Sequence, residues 1–312
     1  MILAGPGAER LRASDDRIVI TGASGWIGRA ALEMLHDTLG AAAFGSRVVP
    51  LGSAARSLTL RSGLTVTQHP LADIAQLPKR PTLLLHTAFL TLDRAKAMAE
   101  ASYIAANEEI RAMVLAAVEP IGVTATFLPS SGAVYADGDC SAAMQLYGRL
   151  KMDDEAAFAS AGRTIVARVF NLSGRHINKH SSYALASFIN DALAGRPITI
   201  QADKPVVRSY VPVADLLSVA VGLLTDGSMP APFDTAGPAP IEIGEVAEVV
   251  ASVVGCTDIV RPQLSAGAPD RYVGNRDAYA SHLATQQVSE TSFASQIGHT
   301  ADFLSEIMRR AA

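Results

Sequence analysis

Cysteine is nearly absent from this chain of 312 residues: only Cys140 and Cys256 occur. Two cysteines so far apart give neither a disulfide framework nor the paired spacing of a metal site, so no metal is expected. Charge is also sparse, at 18% of residues, and the net value is −4. No basic surplus remains to form a nucleic-acid footprint. That balance still allows a small anionic ligand, because local amides and a few arginines can hold a phosphate. Half of the residues are apolar, yet no apolar run reaches the roughly 18 residues of a membrane-crossing helix. The first residues, MILAGPGAERLR, lack the basic start and long apolar stretch of a signal peptide. The expectation is a cytoplasmic protein, neither membrane-bound nor bound to nucleic acid.

What is present is alternation. Short β-branched runs recur at residues 17–21, 47–51, 64–67, 82–86, 124–129 and 164–168. Longer segments of helical periodicity lie between several of them, at 26–39, 102–118 and 142–161. This order predicts βαβ units and an α/β fold, with a doubly wound parallel sheet of Rossmann type. The pattern loosens after Asn171, with helices expected at 182–194, from Asp215 and at 243–254, then an irregular C-terminal region. The division expected is an N-terminal extension (1–16), a dinucleotide-binding domain (17–172, also taking in about 208–237), and a smaller substrate-binding lobe (173–207 and 238–312).

The first strand runs into TGASGWIG, residues 21–28, and then into a helix. Glycines in such a turn let the backbone approach a pyrophosphate, and the helix N-terminus offers free N–H groups and a positive dipole end. Gly22, Ser24, Gly25, Trp26, Ile27 and Gly28 are therefore candidates to hold a dinucleotide. Trp26 is expected to pack at the helix start. The second strand ends in VPLGS without the carboxylate that grips a ribose 2′-hydroxyl. Ser53 and Arg56 would suit a 2′-phosphate, so the cofactor is NADP or NAD, with NADP slightly favoured.

Further along, the strand at 124–129 runs into SSGAVY, and twelve residues later comes Tyr147-Gly-Arg-Leu-Lys151. Tyrosine and lysine at i and i+4 share one helical face. An ammonium beside a phenol lowers its pKa, favouring tyrosinate near neutral pH. With the Ser131 hydroxyl to hold a substrate oxygen, these residues make an acid/base device for hydride transfer at a carbinol or carbonyl carbon.

At this point the sequence resembles the extended short-chain dehydrogenase/reductases, the nucleotide-sugar epimerase/dehydratase group, from about Arg17 to Arg276. TGASGWIG is similar to that family's TGxxGFIG turn, and Ser131, Tyr147 and Lys151 to its catalytic triad. The resemblance implies that Asp73 touches the adenine amine and that Thr87 and Ala88, in His86-Thr-Ala88, lie along the cofactor. Tyr103 to Asn107 is similar to the family's Y-x-x-x-N, which implies a cofactor role for Asn107. It further implies a sugar-nucleotide contact for Asn171 and phosphate-binding arginines at Arg208 and Arg271, and a homodimer through the helices at 102–118 and 142–161. Two departures stand out. The segment from Tyr135 to Tyr147 is short and lacks the family's proline-rich acidic run, and Ser131 is followed by Gly132-Ala133 rather than Asp-Glu, which argues against dehydration.

The expected activity is NAD(P)-dependent epimerisation of a nucleotide-activated sugar. The alternatives are an NADPH-dependent ketoreductase of a 4-keto sugar nucleotide or non-sugar carbonyl, and a non-catalytic sensor. His69, His176 and His180 read as surface or loop residues, and Asp153, Asp154 and Glu155 as a solvated helix face. Cys140 falls near the expected pocket mouth.

Overall fold

The structure is a computed structural model describing residues 1–255 and 258–311. Cys256, one of the two cysteines weighed above, lies outside the described residues. Seven strands carry the sheet: β1 (Arg17–Thr21), β2 (Val48–Gly52), β3 (Arg56–Thr59), β4 (Thr65–Pro70), β5 (Thr82–His86), β6 (Val123–Ser131) and β7 (Thr164–Val169). With the short edge strand Phe233–Asp234, they are ordered Phe233–Asp234, β7, β6, β5, β1, β2, β4, β3. All pairs are parallel except β3 with β4. The chain starts in the middle, builds outward through β2, then returns to β5 on the other side of β1. The crevice between β1 and β5 is thus the point where winding reverses, the preferred ligand site of such sheets.

The helices are α1 (Pro6–Ala13), α2 (Trp26–Arg47), α3 (Leu92–Ala97), α4 (Glu100–Val118), α5 (Ala142–Ala161), α6 (Ala184–Leu193), α7 (Val213–Thr225), α8 (Ile243–Val254), α9 (Asp277–Thr285) and α10 (Phe293–Ala311). One sheet face is covered by α1, α2, α7 and α9, through a core that includes Leu11, Leu32, Phe127, Leu217 and Tyr279. The other face meets α4 and α5 through Val19, Leu84, Val114, Leu128 and Phe158. A separate apolar cluster joins α6, α8 and α10 into the smaller lobe. Among the described residues no helix is long and apolar enough to cross a membrane, and no group of three or more His, Cys, Asp or Glu could hold a metal.

Several elements differ from the pattern read in the sequence. The extension before Arg17 forms α1, whose Ala8 and Leu11 are buried against α7. Helix α2 continues past residue 39 by bending at Gly40, where φ is +76° and helical geometry breaks. The C-terminal region is helical rather than irregular. Its amphipathic α10 buries Ile297 and Leu304. Helix α9 belongs with the sheet, since Tyr279 and Leu283 join the core under α7. Replacing Leu11, 1% exposed, with alanine leaves a cavity between α1 and α7. The expected loss is about 2–5 kcal/mol of stability, read as a lowered urea midpoint with unchanged slope.

Candidate active site

The crevice is stitched by backbone. Thr87 donates to the Thr21 carbonyl through both its amide (3.1 Å) and its hydroxyl (2.6 Å), and the Ala88 amide reaches Thr21 Oγ1 at 3.3 Å. Gly22 turns at φ +71°, and a Cβ there would stand 2.7 Å from Ala88 N and from Thr87. A Cβ on Gly28 would meet Gly22 O at 2.3 Å. Gly25 caps α2 without any side-chain bond, leaving the first helical amides free, and Ser24 is exposed beside them. These residues fit a dinucleotide pyrophosphate: a cradle with no side chain in it, at a positive helix end. Trp26 and Ile27 open α2 and line the cleft.

Around this crevice lies a cavity of about 290 Å³ lined by Thr87, Phe89, Ser131, Tyr147, Lys151, Phe170 and Tyr272, among others. Strand β6 delivers Ser131 at its last residue, where Oγ accepts the Ala133 amide at 3.1 Å. Helix α5, capped by Ser141, presents Tyr147 and Lys151 one turn apart. Lys151 Nζ donates to the Pro129 carbonyl at 3.1 Å and sits 3.8 Å over the Phe89 ring. Burial pulls its pKa down to about 8, against the opposing pull of Asp154 and Glu155.

Tyr147 differs from the expectation of a lowered phenol pKa. Burial holds it above the ordinary tyrosine range, and the Ser131 hydroxyl offsets only part of that.

The face expected to be solvated is largely internal. Asp153 is exposed, but Asp154 and Glu155 are buried. Asp154 meets Arg111 of α4 at 3.3 Å. Glu155 accepts the Ser130 hydroxyl and a fork from Arg168, Nε to Oε1 at 3.0 Å and Nη2 to Oε2 at 2.7 Å. From Arg168 the chain of bonds continues to Tyr135 Oη (2.7 Å), Asp234 Oδ1 (2.9 Å) and, through Oδ2, the Asn275 amide (3.0 Å). No sequence spacing marks this network, because its members come from α5, β7, the sheet edge and a C-terminal loop.

The remaining candidates divide. Asp73 lies half-buried in the first turn after β4 and accepts from Gln76 at 3.4 Å. Ser53 and Arg56 are exposed just past β2. Gly52 has no room for a side chain, since the Gln68 amide fills that space. Asn107 accepts the Leu90 amide at 2.8 Å and donates to Tyr103 O at 3.1 Å, so its side chain holds the loop after β5. Asn171 and Arg208 line an adjoining cavity of about 590 Å³. Arg208 is clamped by Asp270, with both N–O distances 3.2 Å. Arg271 is not brought to either cavity. It lies exposed on the strand Asp270–Tyr272, and the alternation of that strand turns Asp270 and Tyr272 the other way. His176, expected as a surface or loop residue, lies in the loop after Gly174 with a side chain only 9% exposed. Cys140 is exposed.

Tyr272 is the residue that sequence reasoning missed. Its hydroxyl lies 3.4 Å from Ser131 Oγ, and its ring packs 4.7 Å from Phe170. Its strand pairs with Val206–Arg208, setting Tyr272 opposite Arg208. The alternation of Asp270 and Tyr272 against Arg271 is the only local signal.

The model of the NAD dependent epimerase/dehydratase family matches residues 18–233. The chain belongs to that family. A UDP-glucuronic acid decarboxylase of Arabidopsis thaliana is 28% identical over 89 residues, which cover 28% of this chain and 26% of the relative. The match thus spans about a quarter of that curated relative's length. Among solved structures, a UDP-N-acetylglucosamine 4-epimerase from Methanobrevibacter ruminantium, in complex with UDP-N-acetylmuramic acid, aligns with a TM-score of 0.73 and 18% identity. That alignment covers 95% of this chain and all of the other. The UDP-glucose 4-epimerase of Thermus thermophilus, in complex with NAD, gives a TM-score of 0.68 and 20% identity, covering 93% and 99% of the two chains. A dTDP-glucose 4,6-dehydratase from Streptomyces venezuelae, with NAD bound, gives 0.67 and 18%, covering 93% and 97%. The epimerase/dehydratase family and its fold are those the sheet order and glycine turn already describe, and its enzymes are NAD-dependent.

In this family member the buried ammonium of Lys151 opposes folding. The native state resists protonation down to pH 8, whereas the unfolded chain takes the proton near 10.5. Stability therefore falls as pH drops from 10.5 to 8 and stays lowered below that. Lys151→Met is expected to raise stability by about 1–3 kcal/mol at pH 7. The gap from wild type should close as pH rises toward 10.5, measured by urea melts across that range.

Proposed function

We propose that the protein passes hydride between a nicotinamide dinucleotide and a hydroxyl-bearing carbon of a nucleotide-activated sugar, as an epimerase-type oxidoreductase. The observation that carries this reading is the pair of joined cavities. The one holding Ser131, Tyr147 and Lys151 shares Leu92, Met144 and Tyr183 with the larger one holding Asn171 and Arg208. A reacting sugar suits the first, and a nucleoside diphosphate, with its phosphates on Arg208, suits the second. The solved relatives named above include a complex with a UDP-sugar and complexes with NAD, in line with both halves.

When bound along the glycine turn, the dinucleotide supplies a hydride acceptor and donor. The protein's part is proton handling and orientation. Ser131 holds the substrate oxygen. Tyr147 takes the hydroxyl proton as the carbinol C–H electrons leave, and returns it when the opposite face of the ketone is reduced. Lys151 would hold the nicotinamide ribose. Tyr272 adds a second hydroxyl beside Ser131 and narrows the pocket. NADP belongs to this reading beside NAD, because the end of β2 offers no carboxylate and leaves Ser53 and Arg56 open. A homodimer through α4 and α5 is also part of it, supported by the adjacency of these helices and the exposed Met152.

One-way ketone reduction is the second reading, favoured by the Tyr272 hydroxyl beside Ser131 at the same oxygen site. Net consumption of NADPH separates it from epimerisation, which regenerates its dinucleotide.

Tyr147→Phe is expected to lower kcat by about 10²–10⁴-fold while NAD still binds, checked by steady-state kinetics and calorimetry. Turnover near wild type would remove the mechanism. Arg208→Ala should act chiefly on KM for the nucleotide sugar, raising it about tenfold or more with little change in kcat.

A further inference from the structure

Charge gathers in one place that hydride transfer does not use. Behind α2 lies a cavity of about 300 Å³, walled by the outer face of that helix, the turn after β3, the loop after Gly174 and the end of α10. Its centre is His176, whose side chain is 9% exposed and whose Nε2 is buried without a hydrogen-bond partner. The backbone there adopts φ +66°, rare for a residue with a side chain. Burial, joined by the charges of Arg29, Arg175 and Arg61, pushes the imidazole pKa down to about 3, so the ring is neutral and surrounded by guanidinium groups.

The carboxylates in the wall are already engaged. Glu306 takes Arg175 at 2.6 Å, and Glu33 Oε1 accepts the Arg61 amide at 2.8 Å while standing 3.8 Å from His176 Nε2. Arg29 directs one N–H to the Thr59 carbonyl at 2.8 Å and has no ion pair among the described residues. Arg61 is half exposed, and its guanidinium pairs loosely with Asp37, at 3.9 Å. Arg310 adds a further cation at the rim. A chain of net charge −4 thus presents a pocket with an excess of arginine and one neutral imidazole lacking a partner.

We propose that this cavity binds a phosphate monoester, with Arg29 and Arg61 balancing its charge and His176 Nε2 completing its hydrogen bonds. Guanidinium geometry suits the phosphoryl group, and the room exceeds that of phosphate alone. The site communicates with the cleft by one bond: Trp26 Nε1, at the start of α2, donates to the Arg175 carbonyl at 2.9 Å. The inference does not depend on the hydride-transfer reading. The phosphoryl group could come from a free metabolite or from the 2′-phosphate of NADP, and the experiment distinguishes them.

Trp26 is the only tryptophan, so its emission reports on this bond directly. Inorganic phosphate is titrated into the full chain at constant ionic strength, followed by Trp26 emission and by calorimetry, with chloride as control. A saturable signal is expected, weakened about tenfold or more in Arg61→Ala and in His176→Phe. Arg61 is exposed enough that its variant should keep the wild-type urea midpoint, which is measured alongside. If phosphate competes with NADP but not with NAD, the group is the cofactor's 2′-phosphate. If it competes with neither, the ligand is a separate ester. No saturable heat or emission change at millimolar phosphate overturns the proposal, and so does binding that Arg61→Ala and His176→Phe leave intact.

Discussion

The site depends on how closely two backbones approach at the centre of the sheet. Between β1 and β5 the chain reverses its direction of winding, and Gly22 passes so near Thr87 and Ala88 that no Cβ fits between them. The bonds from Thr87 and Ala88 to Thr21 fix that approach. Because both strands end there, one wall of the crevice carries free helical amides and the other leads through β6 to Ser131. The positions of Tyr147 and Lys151 follow from α5 returning across the same edge. A side chain at Gly22 would disturb the cofactor cradle and the strand register together.

Much of this was legible in the sequence because it depends on local rules. Parallel strands buried on both faces read as continuous β-branched runs, which is why β1 and β5 fall where the pattern predicts. Helices α5 and α8 match their predicted limits for a similar reason: Ser141 and the capping box at Glu242 mark where they begin. The glycine turn and the i, i+4 pair on α5 are likewise short-range signals. What escaped was long-range. Tyr272 comes within reach of Ser131 only because its strand pairs with Val206–Arg208, and nothing near residue 272 announces that pairing. Helix α10 opens on a serine cap, Ser292 accepting the Ser295 amide at 3.2 Å, but the irregular composition before it hides the apolar stripe that seals the smaller lobe.

The charged residues carry a related lesson. Asp154 and Glu155 follow Lys151 in a run that reads as surface, yet helical rotation sends the last two inward. Their burial is tolerable because Arg111 and Arg168 come from neighbouring elements to meet them. The Glu155–Arg168–Tyr135–Asp234 chain also ties the sheet to the loop at Asn275, so the C-terminal segment that carries Tyr272 is positioned through a carboxylate on α5. The geometry of the candidate site and the lobe attachment thus share one set of bonds.

The first helix of the chain has a consequence in time. Helix α1 finds its neighbours on α7 and beyond, with Arg10 bonded to Thr225, to the Gly222 carbonyl and to Gln286. These partners stand 212 to 276 residues further along the chain than Arg10. Docking α1 therefore closes one of the longest loops in the fold, and the sheet face that it covers with α7 stays open until α7 and the segment at Gln286 are both in place.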